Sequence, residues 1–142
     1  MKIAIAADHG GFELKEALKK HYTALNMEDL GTFSTQSVDY PDIAHTMTQA
    51  ILLHQADLGI LICGTGVGIS IAANRVKGVR AALIYNNEVA RLAKEHNNAN
   101  ILVFGGRTMA VNNVIEYIDT FLSAQYEGGR HQKRLDKLDT ME

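Results

Sequence analysis

Short apolar runs recur along the chain at strand-like intervals, and each stops at a residue able to turn the backbone or do chemistry. "KIAIAA" ends at Asp8-His9 and "LGILIC" ends on Cys63. "RAALIY" ends at Asn86, and "NILVFG" runs into Gly105-Gly106-Arg107. A weaker run, "MEDLGT", spans 27–32. Runs apolar on both faces and closed by turn residues suit the buried strands of a parallel sheet. Helical periods lie between them. Phe12, Leu14, Ala17 and Leu18 share a face within 11–25. Ile43, Met47, Ala50 and Ile51 do the same behind Pro41, the only proline, which is well placed at a helix start. Segments 67–76, 88–96 and 111–122 complete the alternation. Strands alternating with helices of this length predict an α/β fold with a doubly wound parallel sheet of about five strands, in one domain over 1–142.

The C-terminal segment 127–142 falls outside that alternation. Gly128-Gly129 separates it from the last long helix, and the residues beyond this pair predict one short helix carrying Arg130, His131, Lys133 and Arg134. Two placements stay open for it: packing on a neighbouring subunit, or a solvated basic end.

Composition narrows the classes. At 142 residues the chain suits a single core. No apolar run approaches the ~20 residues of a membrane span, and "MKIAIAADHG" turns polar too soon for a signal peptide. One cysteine excludes an internal disulfide, and no zinc-ligand spacing is present, so the expected setting is the reducing cytoplasm, with no metal and no cofactor. A net charge of −2 gives no reason to expect nucleic acid or an anionic membrane as partner.

Ligands of open parallel sheets sit beyond the carboxyl ends of the strands. Asp8, His9, Cys63, the loop Gly64-Thr65-Gly66-Val67-Gly68, Asn86 and Arg107 all belong to that edge on these strand assignments. Familiar glycine-loop readings fail at named positions. A dinucleotide loop needs glycine where Ile69 stands, and a Walker loop needs Lys-Ser/Thr where Ile69-Ser70 stand. A thiol phosphatase loop needs arginine at 69, and a phospho-receiver domain needs aspartate at 63. The remaining reading is physical: a loop with few side chains lets consecutive N–H groups converge on a small anion. The helix starting near Val67 aims its positive end at the same place. A thiol just before a helix favours its thiolate form, and a thiolate base beside an amide-lined oxyanion pocket suits proton abstraction next to a carbonyl. The competing reading of Cys63 is a small buried hydrophobe beside a tight turn. Among the histidines, His21, His45 and His54 fall in predicted helices as surface or packing residues. His9 comes directly after a strand end, and His96 closes a helix before "NNAN", where it suits either capping or acid–base work.

The segments "ADHGGFELK", "VDYPDIA", "ILICGTGVGISIAANR", "EHNNANILVFGGR" and "AQYEGGRHQKR" resemble the signatures of the RpiB/LacAB sugar-phosphate isomerases, from Lys2 to Arg134 without a large gap. The resemblance implies a Rossmann-like three-layer α/β/α sandwich that forms a homodimer or dimer of dimers, with active sites at the subunit interface. It implies aldose–ketose isomerisation of a phosphorylated sugar, D-ribose 5-phosphate to D-ribulose 5-phosphate, through an enediolate. By matching motif, Cys63 moves the proton between C2 and C1, and the Gly64, Gly66, Val67 and Gly68 amides hold the enediolate oxygen. His96 assists ring opening, alone or with Thr65 or His9. Asp8, His9, Tyr40 and Asn97 bind sugar hydroxyls, while Arg107, Arg130 and Arg134 gather at the phosphate, with His131 a weaker candidate. Some members lack the cysteine and use a carboxylate base, so its presence favours the thiol route. Six-carbon substrates (allose or galactose 6-phosphate) share this chemistry, and a non-catalytic sugar-phosphate-binding domain is the alternative of another class. That last alternative has no need for Cys63 and His96 together.

Overall fold

The computed structural model describes residues 1–141. Five strands, β1 (Ile3–Ala7), β2 (Glu28–Asp29), β3 (Leu58–Cys63), β4 (Ala81–Leu83) and β5 (Ile101–Gly105), form one sheet in the order β2-β1-β3-β5-β4. Every pairing is parallel. β1, β3 and β5 are buried throughout, which is why they read as unbroken apolar runs. The edge strands β2 and β4 are shorter than "MEDLGT" and "RAALIY" suggest, because an edge position has a pairing partner on one side only.

Five helices of the described residues cover the two faces, α1 (Phe12–His21), α2 (Tyr40–Leu52), α3 (Val67–Asn74), α4 (Asn87–Glu95) and α5 (Val111–Ser123), and α6 (Arg130–Asp139) lies apart from them. One face buries Leu14 and Leu18 of α1, Ala90 and Ala93 of α4, and Val114, Ile118 and Phe121 of α5. The other buries Ala44, Met47 and Ile51 of α2 with Ile69 and Ala73 of α3. Three layers result, as expected. The periodicity drawn to residue 25 ends instead at His21. A single 3₁₀ turn, Thr23–Leu25, comes next and closes at Asn26 in the left-handed region. His54 lies just past α2 at φ 58° rather than within it, and α3 stops at Asn74, not Val76. Pro41 sits in the first turn of α2, where its missing N–H costs no hydrogen bond.

The winding fixes where a ligand can sit. β1 and β5 send their chains into α1 and α5 on one face, while β3, between them, sends its chain into α3 on the other. The connections diverge on both sides of β3, which makes its carboxyl end the switch point where ligands of such sheets bind. Cys63 is the last residue of β3.

Candidate active site

Three loops meet at that carboxyl edge, and small residues let them interlock. A Cβ on Gly106 would lie 2.5 Å from the Gly10 carbonyl oxygen, so the loops after β5 and β1 touch backbone to backbone. The Gly106 N–H donates to the Cys63 carbonyl (2.8 Å) and the Arg107 N–H to that of Gly64 (2.9 Å), tying the third loop in. Gly66, at φ 83°, turns the chain from β3 into α3, a conformation that costs a residue with a Cβ. Its own Cβ would also strike Leu83 at 2.6 Å.

Cys63 is a free thiol, 5% exposed, and its Sγ accepts a hydrogen bond from the Gly66 N–H at 3.2 Å. The Val67 N–H donates to Thr65 Oγ1 at 3.2 Å. The loop amides are therefore divided: Gly66 faces the sulfur and Val67 the threonine. Those of Gly64, Thr65 and Gly68 have no acceptor among the described residues. Unpaired N–H groups near a helix start are anion-binding groups by construction. The Arg107 guanidinium reaches over Gly64, with Nη1 3.4 Å from where a Cβ would stand, and the Tyr40 ring lies against Gly68 in the same way.

The first loop is built on its acid. Asp8 is buried and its Oδ1 accepts from the Gly10 (2.8 Å) and Gly11 (3.2 Å) N–H groups, a turn that holds His9 at the crevice. His9 Nδ1 accepts from the Val38 N–H at 3.2 Å. A proton on neutral His9 therefore sits on Nε2 and is available to a ligand. Asn86, grouped with this edge in the sequence, is the N-cap of α4 and accepts from the Val89 N–H at 2.8 Å.

The remaining candidates lie elsewhere. α4 leaves the carboxyl end of β4 and returns to the opposite edge, where His96 caps it and the chain enters β5. There the Gly59 N–H at the start of β3 donates to the Asn100 carbonyl. At ~3.3 Å per residue, six-residue β3 sets the two edges some ~17 Å apart. α6 packs at this amino edge: His131 stacks on His96 with ring centroids 4.1 Å apart, and Leu138 and Asn97 line a common cavity of about 600 Å³ with Val76 and Arg80. Arg130 and Arg134 line one exposed groove of α6 with Lys133 and Lys137. Thus Asp8, His9, Tyr40, Cys63, Gly64, Thr65, Gly66, Val67, Gly68 and Arg107 gather at one edge. His96, Asn97, Arg130 and Arg134 gather at the other.

Two features escape sequence reading. Lys15 of α1 is fully buried, its Nζ 2.5 Å from Asp29 Oδ2 and flanked by the Phe12 and Phe33 rings. Lys19 shares that carboxylate at 2.7 Å. Burial pushes the Asp29 carboxyl up, but its hydrogen bonds from Lys15, Lys19 and the Gly31 N–H outweigh that and hold it below the usual range. The other is Glu127, whose Oε1 stands 3.5 Å from Nε2 of both His96 and His131. His131 is held below the usual histidine range by burial first, then by the neighbouring Arg130 charge.

The chain matches the family model described as ribose/galactose isomerase over residues 3–138. It is 43% identical over 143 residues to ribose-5-phosphate isomerase B of Escherichia coli strain K12, covering 99% of this chain and 96% of that protein. It is 48% identical over 139 residues to a putative sugar phosphate isomerase of Rickettsia bellii, covering 96% of each. Among solved structures, a ribose 5-phosphate isomerase from Thermotoga maritima superposes with TM-score 0.96 at 53% identity, over 99% of this chain and 98% of that one. Ribose-5-phosphate isomerase B from Mycoplasma genitalium with bound ribulose-5-phosphate superposes with TM-score 0.92 at 44% identity, over 97% and 93%.

Proposed function

Since the chain belongs to the ribose/galactose isomerase family, we propose that it interconverts D-ribose 5-phosphate and D-ribulose 5-phosphate by proton transfer through an enediolate. One observation carries the reading: a buried thiol stands at the end of the central strand beside unpaired loop amides, under a guanidinium. The Cys63 thiolate takes the proton from C2 of the open-chain aldose, the electron pair moves to the carbonyl, and O1 becomes an oxyanion. The amides of Gly64, Thr65 and Gly68 stabilise that charge as it develops. Passage of the O2 hydroxyl proton to O1 and return of the carbon-bound proton to C1 yield the ketose, so no electron leaves the substrate and no redox cofactor enters the balance. Ring opening precedes this step and requires a group that takes the anomeric hydroxyl proton and another that protonates the ring oxygen; His96, with Thr65 or His9, fills those roles. Asp8, His9, Tyr40 and Asn97 bind hydroxyls, and Arg107, Arg130 and Arg134 take the phosphate with paired N–H donors.

These residues reach one substrate only if a second copy brings its amino edge to the carboxyl edge of the first. The exposed face of α3 supports that assembly. The helix is apolar nearly all round, "VGISIAAN", yet Val67 and Ile71 are 50% and 54% exposed. A helix of this kind is at home in a buried position. No helix of the described residues is long and apolar enough to cross a membrane, so the occupant that fits this face is another copy of the chain, as a homodimer or a dimer of dimers. In the reducing cytoplasm Cys63 stays a free thiol.

The test is a coupled assay of ketose formation from ribose 5-phosphate and from allose 6-phosphate. Turnover of ribose 5-phosphate with a higher kcat/KM is expected. Preference for the six-carbon sugar would reassign the substrate, and turnover of neither would remove the catalytic reading.

A further inference from the structure

Glu127 and His131, to which the proposed isomerisation assigns no step, stand against His96. Nε2 of His96 and Nε2 of His131 face the same oxygen, Glu127 Oε1, each at 3.5 Å, and the three ligand atoms lie within 4.8 Å of one another. A tetrahedral zinc ion with bonds of about 2.0–2.1 Å to nitrogen and oxygen separates its ligand atoms by about 3.3 Å, close to those two spacings. The positions are held by backbone: the Glu127 N–H donates to the Glu95 carbonyl at 3.0 Å, and the His96 N–H to that of Leu92 at 2.9 Å. The His131 N–H donates to the Gly128 carbonyl at 3.0 Å. Independently, His131 Nε2 is buried without any hydrogen-bond partner, its side chain 5% exposed and pointed at the same carboxylate. A buried polar atom left without a partner is costly, and a metal ion is a partner that a neutral imidazole nitrogen takes readily.

We propose that His96, Glu127 and His131 form a three-ligand site for a zinc-class divalent cation, and that its occupancy switches the enzyme off. The stacked rings both turn Nε2 toward the Glu127 carboxylate. A turn about χ2, a torsion with broad freedom, makes them converge, and His96 at 35% side-chain exposure has room to make it. The switch arises because the ion takes Nε2 of His96, which rests on the ring-opening role proposed for that residue. The binding site itself rests only on the three side chains.

Isothermal titration of zinc into the Cys63→Ala protein removes the competing thiol and reads the site directly. One ion per chain is expected, and Glu127→Gln or His131→Asn should weaken it by at least about tenfold. Glu127 is half exposed, so its variant reports even where the buried His131 variant fails to fold. No binding, or binding unchanged by Glu127→Gln, overturns the site. In the wild-type enzyme zinc should abolish turnover, a chelator should restore it, and Glu127→Gln should need at least about ten times more zinc. Turnover indifferent to zinc at concentrations that fill the site overturns the switch while leaving the isomerase reading untouched.

Discussion

The Cys63 sulfur accepts one hydrogen bond, from the amide of Gly66, and packs with the core side chains of the face that α2 and α3 cover. The two readings of this residue, inert packing and base, therefore part on a single substitution. General base catalysis contributes about 10²–10⁴-fold, so Cys63→Ala should lower kcat by at least the lower figure with KM little changed, since amides and arginines remain. In heavy water the wild type should exchange the C2 proton of ribose 5-phosphate, followed by NMR, and the variant should not. Normal exchange in a folded variant would return the thiol to packing. The role proposed for His96 belongs to a different step. His96→Asn should slow the cyclic aldose more than the open-chain ketose assayed in reverse, and equal losses in initial rate would remove the ring-opening role. At the other end of the substrate, Arg134→Ala should raise KM strongly; unchanged kinetics would make that arginine part of a solvated face.

At the scale of elements, the Lys15–Asp29–Lys19 cluster clamps α1 to the end of β2, just ahead of the loop whose Val38 N–H holds His9. Removing the carboxylate leaves Lys15 buried with only Glu16 near it, at 3.4 Å, so Asp29→Asn should destabilise the fold by on the order of 3 kcal/mol at neutral pH. The pH dependence has a definite sign. Asp29 titrates lower when folded than when unfolded, so its contribution is complete above about pH 4 and disappears as the pH falls through the lowered value. Urea unfolding should show the gap between wild type and variant narrowing below about pH 4; a gap constant down to pH 2 would mean the ion pair is not its source. Nothing in "FELKEALKKH" distinguishes Lys15 from a solvated lysine, because its partner lies on another element 14 residues on. The same limit governs the fold. β1, β3 and β5 were legible because burial on both faces writes itself as an apolar run. β2 and β4 were legible only as existing, since edge pairing sets their ends. The strand order leaves no local trace in the sequence. The candidate residues were legible one by one, but not their division between two edges, which comes from α4 returning to the amino edge.

On the scale of the whole molecule, that division makes a prediction no single chain can meet. If Cys63 of one copy works with His96 of another, two proteins each impaired on ribose 5-phosphate, Cys63→Ala and His96→Asn, should regain activity when mixed and reassociated. Random pairing around a two-fold axis makes half the dimers mixed, each with one intact site of two, so recovery should approach about a quarter of wild type. No recovery despite subunit exchange, checked by native mass spectrometry, would overturn a site shared between Cys63 of one copy and His96 of another.

The apolar face of α3 carries a related consequence. One chain contains the whole sheet and both core layers, with Val67 and Ile71 half exposed, so a catalyst made of two copies would separate folding from competence. Dilution should then produce a silent but native protein. Circular dichroism would stay constant while rate per chain falls away, and at low concentration total rate would scale as the square of the chain concentration, because two bodies must meet to make one catalyst. Ribose 5-phosphate touching both copies would pull that equilibrium back, so the enzyme would be held together, in part, by the molecule it converts.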